Sequence, residues 1–161
     1  MKPAHPIIVA SSGGDVSTVR YLLENGADIN AVDRMKRTAL MNATIDRHFG
    51  CVELLLSNGA EVNRRDVNGW TALHFAAQNN ASDFAELLLR AGAEVDAPNA
   101  HGNSPLSTAV FSYRGDQEAI TVLLKAGAAV DAENKHGVSP RSLANTIGNY
   151  DTRKFFQRCD V

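Results

Sequence analysis

The stretch Asp66–Asp96, DVNGWTALHFAAQNNASDFAELLLRAGAEVD, decides the fold because the rest of the chain repeats it. Moved back 33 positions, Asp66, Thr71, Ala72, Leu73, Leu88, Leu89 and Gly92 fall on Asp33, Thr38, Ala39, Leu40, Leu55, Leu56 and Gly59. Moved forward, Gly69, Leu73 and Ala76 fall on Gly102, Leu106 and Ala109, while Gly92 needs 35 positions to reach Gly127. A fixed period of this length marks a solenoid, in which each unit buries its apolar face only against its neighbours. Inside the unit, Leu73, Ala76 and Ala77 sit at helical spacing, and so do Phe84, Leu87 and Leu88, with the polar break Asn79-Asn80-Ala81-Ser82 between them. That pattern predicts two short antiparallel helices. Thr71 is placed to cap the first, its hydroxyl within reach of His74. Gly92 ends the second, since glycine takes positive φ at no steric cost.

The composition agrees. Of 161 residues, 44% are hydrophobic and only 6% aromatic, so the apolar content is mainly Ala, Leu and Val, which suits closely stacked helices. A net charge of −2 gives no reason to expect a nucleic-acid binder or a polyacidic tail. The opening MKPAHPIIVASSGG has an apolar run of only four residues, Ile7–Ala10, too short for a signal-peptide core or a membrane span. Cys51 lies in an apolar helical pattern far from Cys159, the pattern of a buried thiol in a reduced compartment. The expectation is a cytoplasmic protein without a disulfide.

Five segments carry a further resemblance: Asp66-Val-Asn-Gly69, Thr71-Ala-Leu-His74, Ala76-Ala77, Leu87-Leu-Leu89 and Gly92-Ala-Glu-Val-Asp96. Together with the four endings at Gly26, Gly59, Gly92 and Gly127, they resemble the ankyrin-repeat family over nearly the entire chain. The resemblance implies an all-α solenoid of helix-turn-helix units joined by hairpin-like turns. It forms one domain over 1–161, with repeats at about 1–32, 33–65, 66–98, 99–133 and 134–161.

The departures from the pattern carry the specific information. Repeat one lacks the opening turn and has His5-Pro6-Ile7 at the helix start, as an N-terminal cap. Repeat two has Lys36 where the turn glycine belongs and Met41 in the His position. A side chain at a positive-φ site costs on the order of 1 kcal/mol, which points either to a tip selected for contact or to a rearranged turn. Repeat four is two residues longer, the excess falling between Val110 and Gly115. Repeat five stops after Phe155-Phe156, a C-terminal cap whose polar outer face is Arg153, Lys154, Gln157 and Arg158.

Candidates for chemistry are few. His5, His48, His74, His101 and His136 show no i,i+4 pair, no HExxH and no CxxC partner, so no metal is expected. Ser11-Ser-Gly-Gly14 lacks the pattern of a phosphate loop, and no nucleophile or carboxylate constellation stands out. The expectation is a non-catalytic chain without cofactor or small-molecule substrate.

What remains is surface. In the family resembled, partners are read by the turn tips and by the exposed side of each first helix. Carried onto this sequence, the tips are Arg34, Met35, Lys36 and Arg37; Val67, Asn68 and Trp70; Ala100, His101 and Asn103; and Lys135, His136 and Val138. The helix side is Ile45 and Asp46, Gln78 and Asn79, then Phe111, Ser112 and Tyr113. Trp70 stands out as the only tryptophan, an anchor type at interfaces. Phe111 and Tyr113 stand out as aromatics on the lengthened link. Arg34, Lys36, Arg37, Arg64 and Arg65 form a basic cluster that would steer an acidic partner.

The functional expectation is therefore rigid presentation of a surface to another protein carrying an acidic patch, with little ordering entropy lost on binding. Small single-domain ankyrin proteins resemble inhibitors and toxin-immunity proteins as well as adaptors, so occlusion of the partner and scaffolding stand nearly level. A nucleic-acid-associated regulator is the rival of a different class, and it lacks a wide basic field with interleaved aromatics.

Overall fold

A computed structural model describes residues 5–146 and 152–156. In chain order the helices are α1 (Pro6–Ser12), α2 (Val16–Glu24), α3 (Ala39–Ile45), α4 (Phe49–Ser57), α5 (Ala72–Gln78), α6 (Ser82–Arg90), α7 (Pro105–Phe111), α8 (Glu118–Lys125) and α9 (Pro140–Thr146). A single 3₁₀ turn, Arg153–Phe155, follows. The described residues contain no strand, only a lone antiparallel bridge between Val32 and Thr38. The odd-numbered helices stack on one another as an inner layer, and α2, α4, α6 and α8 stack as an outer layer.

The three central inner helices, α3, α5 and α7, are short and largely buried. In α5 every residue from Ala72 to Ala77 is buried, and its three alanines let the flanking helices approach closely. The starts follow the sequence. Thr38 and Ser104 accept the amides of Met41 and Ser107 through their side-chain oxygens, and Pro6, Pro105 and Pro140 open α1, α7 and α9 where a missing N–H goes unnoticed. Each outer helix ends at a glycine with φ between +78° and +89°. The residue after it donates back to the carbonyl five positions earlier, as Ala93 does to Leu88 at 3.0 Å.

Inner helices one to three end in the same way, on Gly14, Arg47 and Asn80, all with positive φ. The equivalent residue in repeat four is Tyr113, whose φ is not positive. The link there runs from Ser112 to Gln117, with the left-handed turn moved to Gly115 at φ +107°. A bulky β-carbon is poorly tolerated at positive φ, so the two extra residues let Tyr113 turn inward instead.

Phe156 is buried against the inner stack at the C-terminal end, and Lys154 is exposed. Of the expected polar end face, the side chain of Arg153 and residues Gln157 and Arg158 lie outside the described residues, as does Cys159. Cys51 is fully buried, and burial pushes its thiol pKa up. No helix among the described residues is long and apolar enough to cross a membrane.

Candidate partner-binding groove

The turns that project from the helices are built by one recurring device. Oδ1 of Asp33 accepts the amides of Met35 and Arg37, and Asp66 does the same for Asn68 and Trp70. Asn99 and Asn134 repeat this for His101 with Asn103 and for His136 with Val138. A side chain that mimics a backbone turn fixes the tip without help from its neighbour. Neighbouring tips are then tied together by single backbone bonds: Val67 donates to Met35, Ala100 to Asn68 and Lys135 to His101, at 2.9, 2.9 and 3.1 Å. Four tips thus stand as one rigid edge.

Lys36 keeps φ at +58°, so the turn is conserved in shape and its β-carbon carries the strain. Between repeats three and four the lock is His74, buried completely. Its Nδ1 accepts the amide of Thr71 at 3.2 Å and lies 2.9 Å from the Thr71 hydroxyl, so that nitrogen carries no proton. Nε2 therefore holds the hydrogen and donates to the carbonyl of Asn103 at 3.0 Å. Burial, opposed by that bond, lowers the pKa to about 4.

Tips and inner helices enclose a groove of about 640 Å³ along repeats three to five, with Arg37 of repeat two at one end. Three rows line it. Trp70, Asn103 and Val138 directly precede the helix caps; Phe75, Thr108 and Leu143 lie one turn into the inner helices; Gln78 and Phe111 close those helices. Asn68 and His101 add the rim. The row through Phe75 is absent from the sequence-predicted set, although Phe75 is three residues from Gln78 and so shares its helix face.

The predicted residues divide clearly. Phe111, 68% exposed, is the last residue of α7 rather than part of the link, and it faces the groove with Gln78. Arg34, Met35, Lys36, Val67, Asn68, His101, Lys135 and His136 are exposed on the edge. The rings of His101 and His136 lie 6.3 Å apart, as their equal turn positions require, while Lys135 Nζ donates to the Ala100 carbonyl at 2.8 Å. Asp46 is exposed at the end of α3, and Ile45 packs partly against the core.

One expectation needs correction, and three others meet contacts within the chain. Tyr113 is only 6% exposed and packs edge-on to Phe155 at 5.6 Å, so it closes the core instead of meeting a partner. Asn79 is partly buried, its carboxamide donating to the Ile45 carbonyl at 3.1 Å, which ties repeats two and three. Trp70 packs one side of its ring 5.1 Å from that of Phe75 and 5.6 Å from that of His74 and leaves the rest to the groove. The basic cluster is also smaller than five charges. Arg64 pairs with Glu61 at 2.9 Å, Arg65 with Glu94 at 3.7 Å and Arg37 with Asp66 at 3.6 Å, leaving Arg34 and Lys36 without an ion pair among the described residues.

Among the described residues no group of three or more His, Cys, Asp or Glu is placed to hold a metal ion. No curated protein shows significant similarity to the chain. The family model for ankyrin repeats (3 copies) matches residues 2–66 and again 64–134. With that match over most of its length, a repeated helix pair and a four-turn edge, the chain belongs to the ankyrin-repeat family, whose members are generally non-catalytic protein-interaction modules.

Proposed function

We propose that this chain binds a protein through the groove and its turn edge and inhibits that protein by covering its working surface. Phe111 carries the reading. A phenylalanine left 68% exposed beside Trp70 and Phe75 forfeits apolar burial worth roughly 2 kcal/mol, which a partner would recover. The rigid edge supports occlusion, because the tips are already fixed by their own hydrogen bonds and lose little entropy on binding.

The partner's facing surface carries an acidic patch. Arg34 and Lys36 stand exposed at one end of the edge, where they raise the rate of encounter with negative charge. A nucleic-acid ligand fits less well, since Arg64 and Arg65 already face Glu61 and Glu94 and the charge of Arg37 is shared with buried Asp66.

Affinity capture tests the proposal. Phe111→Glu is expected to abolish retention of the partner, while Tyr21→Glu, on the outer helix α2 and 64% exposed, retains it. Adding the purified chain is expected to lower the captured protein's activity in proportion to complex formed. Equal retention by both variants would contradict the groove, and full activity in the complex would favour an adaptor.

A further inference from the structure

Among the described residues that line the groove, Arg37 is the only Arg, Lys, Asp or Glu whose side chain remains accessible. It is 31% exposed, whereas the side chain of Asp66, the other charged group, is 1% exposed. One edge and one face of the guanidinium already meet neighbours. Its Nε edge faces Asp66 Oδ2 at 3.6 Å, and its carbon lies 5.1 Å from the centroid of the Phe75 ring, a cation–π stack. The Asp66 contact is too long for a hydrogen bond, and both buried atoms, Arg37 Nε and Asp66 Oδ2, have no hydrogen-bond partner. Asp66 therefore orients the guanidinium without saturating it. The side-chain contacts of Arg37 among the described residues are those with Asp66 and Phe75, so the edge bearing Nη1 and Nη2 makes no hydrogen bond there, and its two parallel N–H groups match the two oxygens of a carboxylate.

We infer that the groove receives an extended segment of the partner in which one carboxylate is clasped by the Nη edge of Arg37 and an aromatic or large aliphatic side chain lies against Trp70, Phe75 and Phe111. This rests on the reading that the groove is the partner-binding surface, and it adds what enters it. An extended segment leaves its own N–H and C=O groups open, and on leaving water they need new partners from the groove. The exposed carboxamides of Asn68 and Gln78 border the groove, and each offers both a donor and an acceptor. A basic segment gains nothing here, since the one carboxylate is buried and already faced by Arg37. A nucleic-acid strand would bring one phosphate per nucleotide to a groove with a single cation. The Arg37 clasp differs from the charge of Arg34 and Lys36: those cations steer from the rim, whereas Arg37 holds one oxygen pair at a fixed distance from the aromatic wall.

A library of twelve-residue peptides with all positions randomised is selected on the wild-type chain, on Arg37→Gln and on Arg34→Gln. The expected wild-type selection is an Asp or Glu at fixed spacing from an aromatic or large aliphatic residue. Arg34→Gln keeps that preference, and Arg37→Gln loses the acidic position while keeping the apolar one. In a double-mutant cycle on one selected peptide, replacing Glu by Gln is expected to weaken binding at least tenfold on wild type and less than twofold on Arg37→Gln. Arg37→Lys, which keeps the charge without the fork, should fall between.

Equal loss on both proteins, an acidic preference retained by Arg37→Gln, or a wild-type selection without enrichment would overturn the inference. Displacement of the peptide by a twelve-nucleotide oligouridylate would overturn it in favour of nucleic acid. Selected peptides that bind Phe111→Glu as tightly as wild type would instead remove the groove reading beneath it, which separates the two failures.

Discussion

Nε2 of His74 donates across a repeat boundary to the carbonyl of Asn103, 3.0 Å away, while its Nδ1 is held by Thr71. Protonation would put a hydrogen on Nδ1 where the Thr71 amide already donates, in a fully buried site. The folded pKa is lowered to about 4 from 6.5, so the folded chain carries a neutral ring. As pH falls through 6.5 the unfolded chain takes up a proton that the folded chain refuses, and stability declines until pH reaches the folded value. From pH 7.5 to pH 5 this amounts to about 2 kcal/mol. His74→Met, which copies Met41 of repeat two, is expected to remove that share of the pH dependence. Urea titrations at both pH values measure it, and identical pH dependence in the two proteins would contradict the assignment.

Gly69 and Gly92 both take positive φ, but their surroundings differ. A β-carbon at Gly69 would lie 2.8 Å from the Ala100 amide nitrogen on the next turn, whereas one at Gly92 meets nothing within 4 Å. Gly92→Ala is expected to cost about 1 kcal/mol from conformational strain alone. Gly69→Ala adds a backbone clash that parts two tips, for a total of roughly 3 kcal/mol. Thermal or urea unfolding distinguishes them, and equal costs would show that the edge yields easily.

Lys36 occupies the same turn position as Gly69, Gly102 and Gly137, and its φ of +58° lies in the same region. Lys36→Gly is expected to raise stability by up to about 1 kcal/mol by relieving the β-carbon. If the tip serves binding, the same variant slows association with the acidic partner, most strongly at low salt. Stopped-flow rates against ionic strength check this, and an unchanged rate would remove Lys36 from the steering group.

Three of the aromatics of repeats three and four, Tyr113, Phe111 and Trp70, should separate stability from affinity. Tyr113→Ala empties a buried site against Phe155 and is expected to destabilise the fold by about 3 kcal/mol, without altering the intrinsic affinity of the folded fraction. Phe111→Ala removes an exposed ring and should leave stability within about 0.5 kcal/mol while weakening the complex by about 2 kcal/mol. Trp70→Ala is expected to lower both, because the ring touches Phe75 and His74 as well as the groove. Calorimetry of binding alongside unfolding measures the partition.

The framework was legible because it repeats. Thr71, Gly92 and the leucines between them have counterparts at fixed offsets, so helix starts, helix ends and the stacking order followed from the period. The lengthened link was also visible, but not its consequence. Tyr113 falls where Gly14, Arg47 and Asn80 turn left-handed, and whether an inserted aromatic goes out or in depends on packing with Phe155. The charge cluster failed for a similar reason. Arg65 meets Glu94 and Arg37 meets Asp66 across repeat boundaries, pairs that a one-dimensional pattern does not bring together. Arg64 and Glu61, three residues apart in one turn, were readable. Phe75 was hidden by its own regularity, since a phenylalanine inside a buried helix reads as core until the groove beside it is seen.

Binding in the groove would bring the partner against position 111 and leave the outer helices bare. A photo-crosslinking benzophenone amino acid placed at position 111, and in a second protein at position 21 on α2, tests it most directly. Both native side chains are aromatic and exposed, at 68% and 64%, so neither substitution should disturb the fold. The expected result is an abundant covalent adduct with the partner from position 111 and none from position 21. Adducts from position 21, with position 111 silent, would place the partner on the outer helices and rule out the groove.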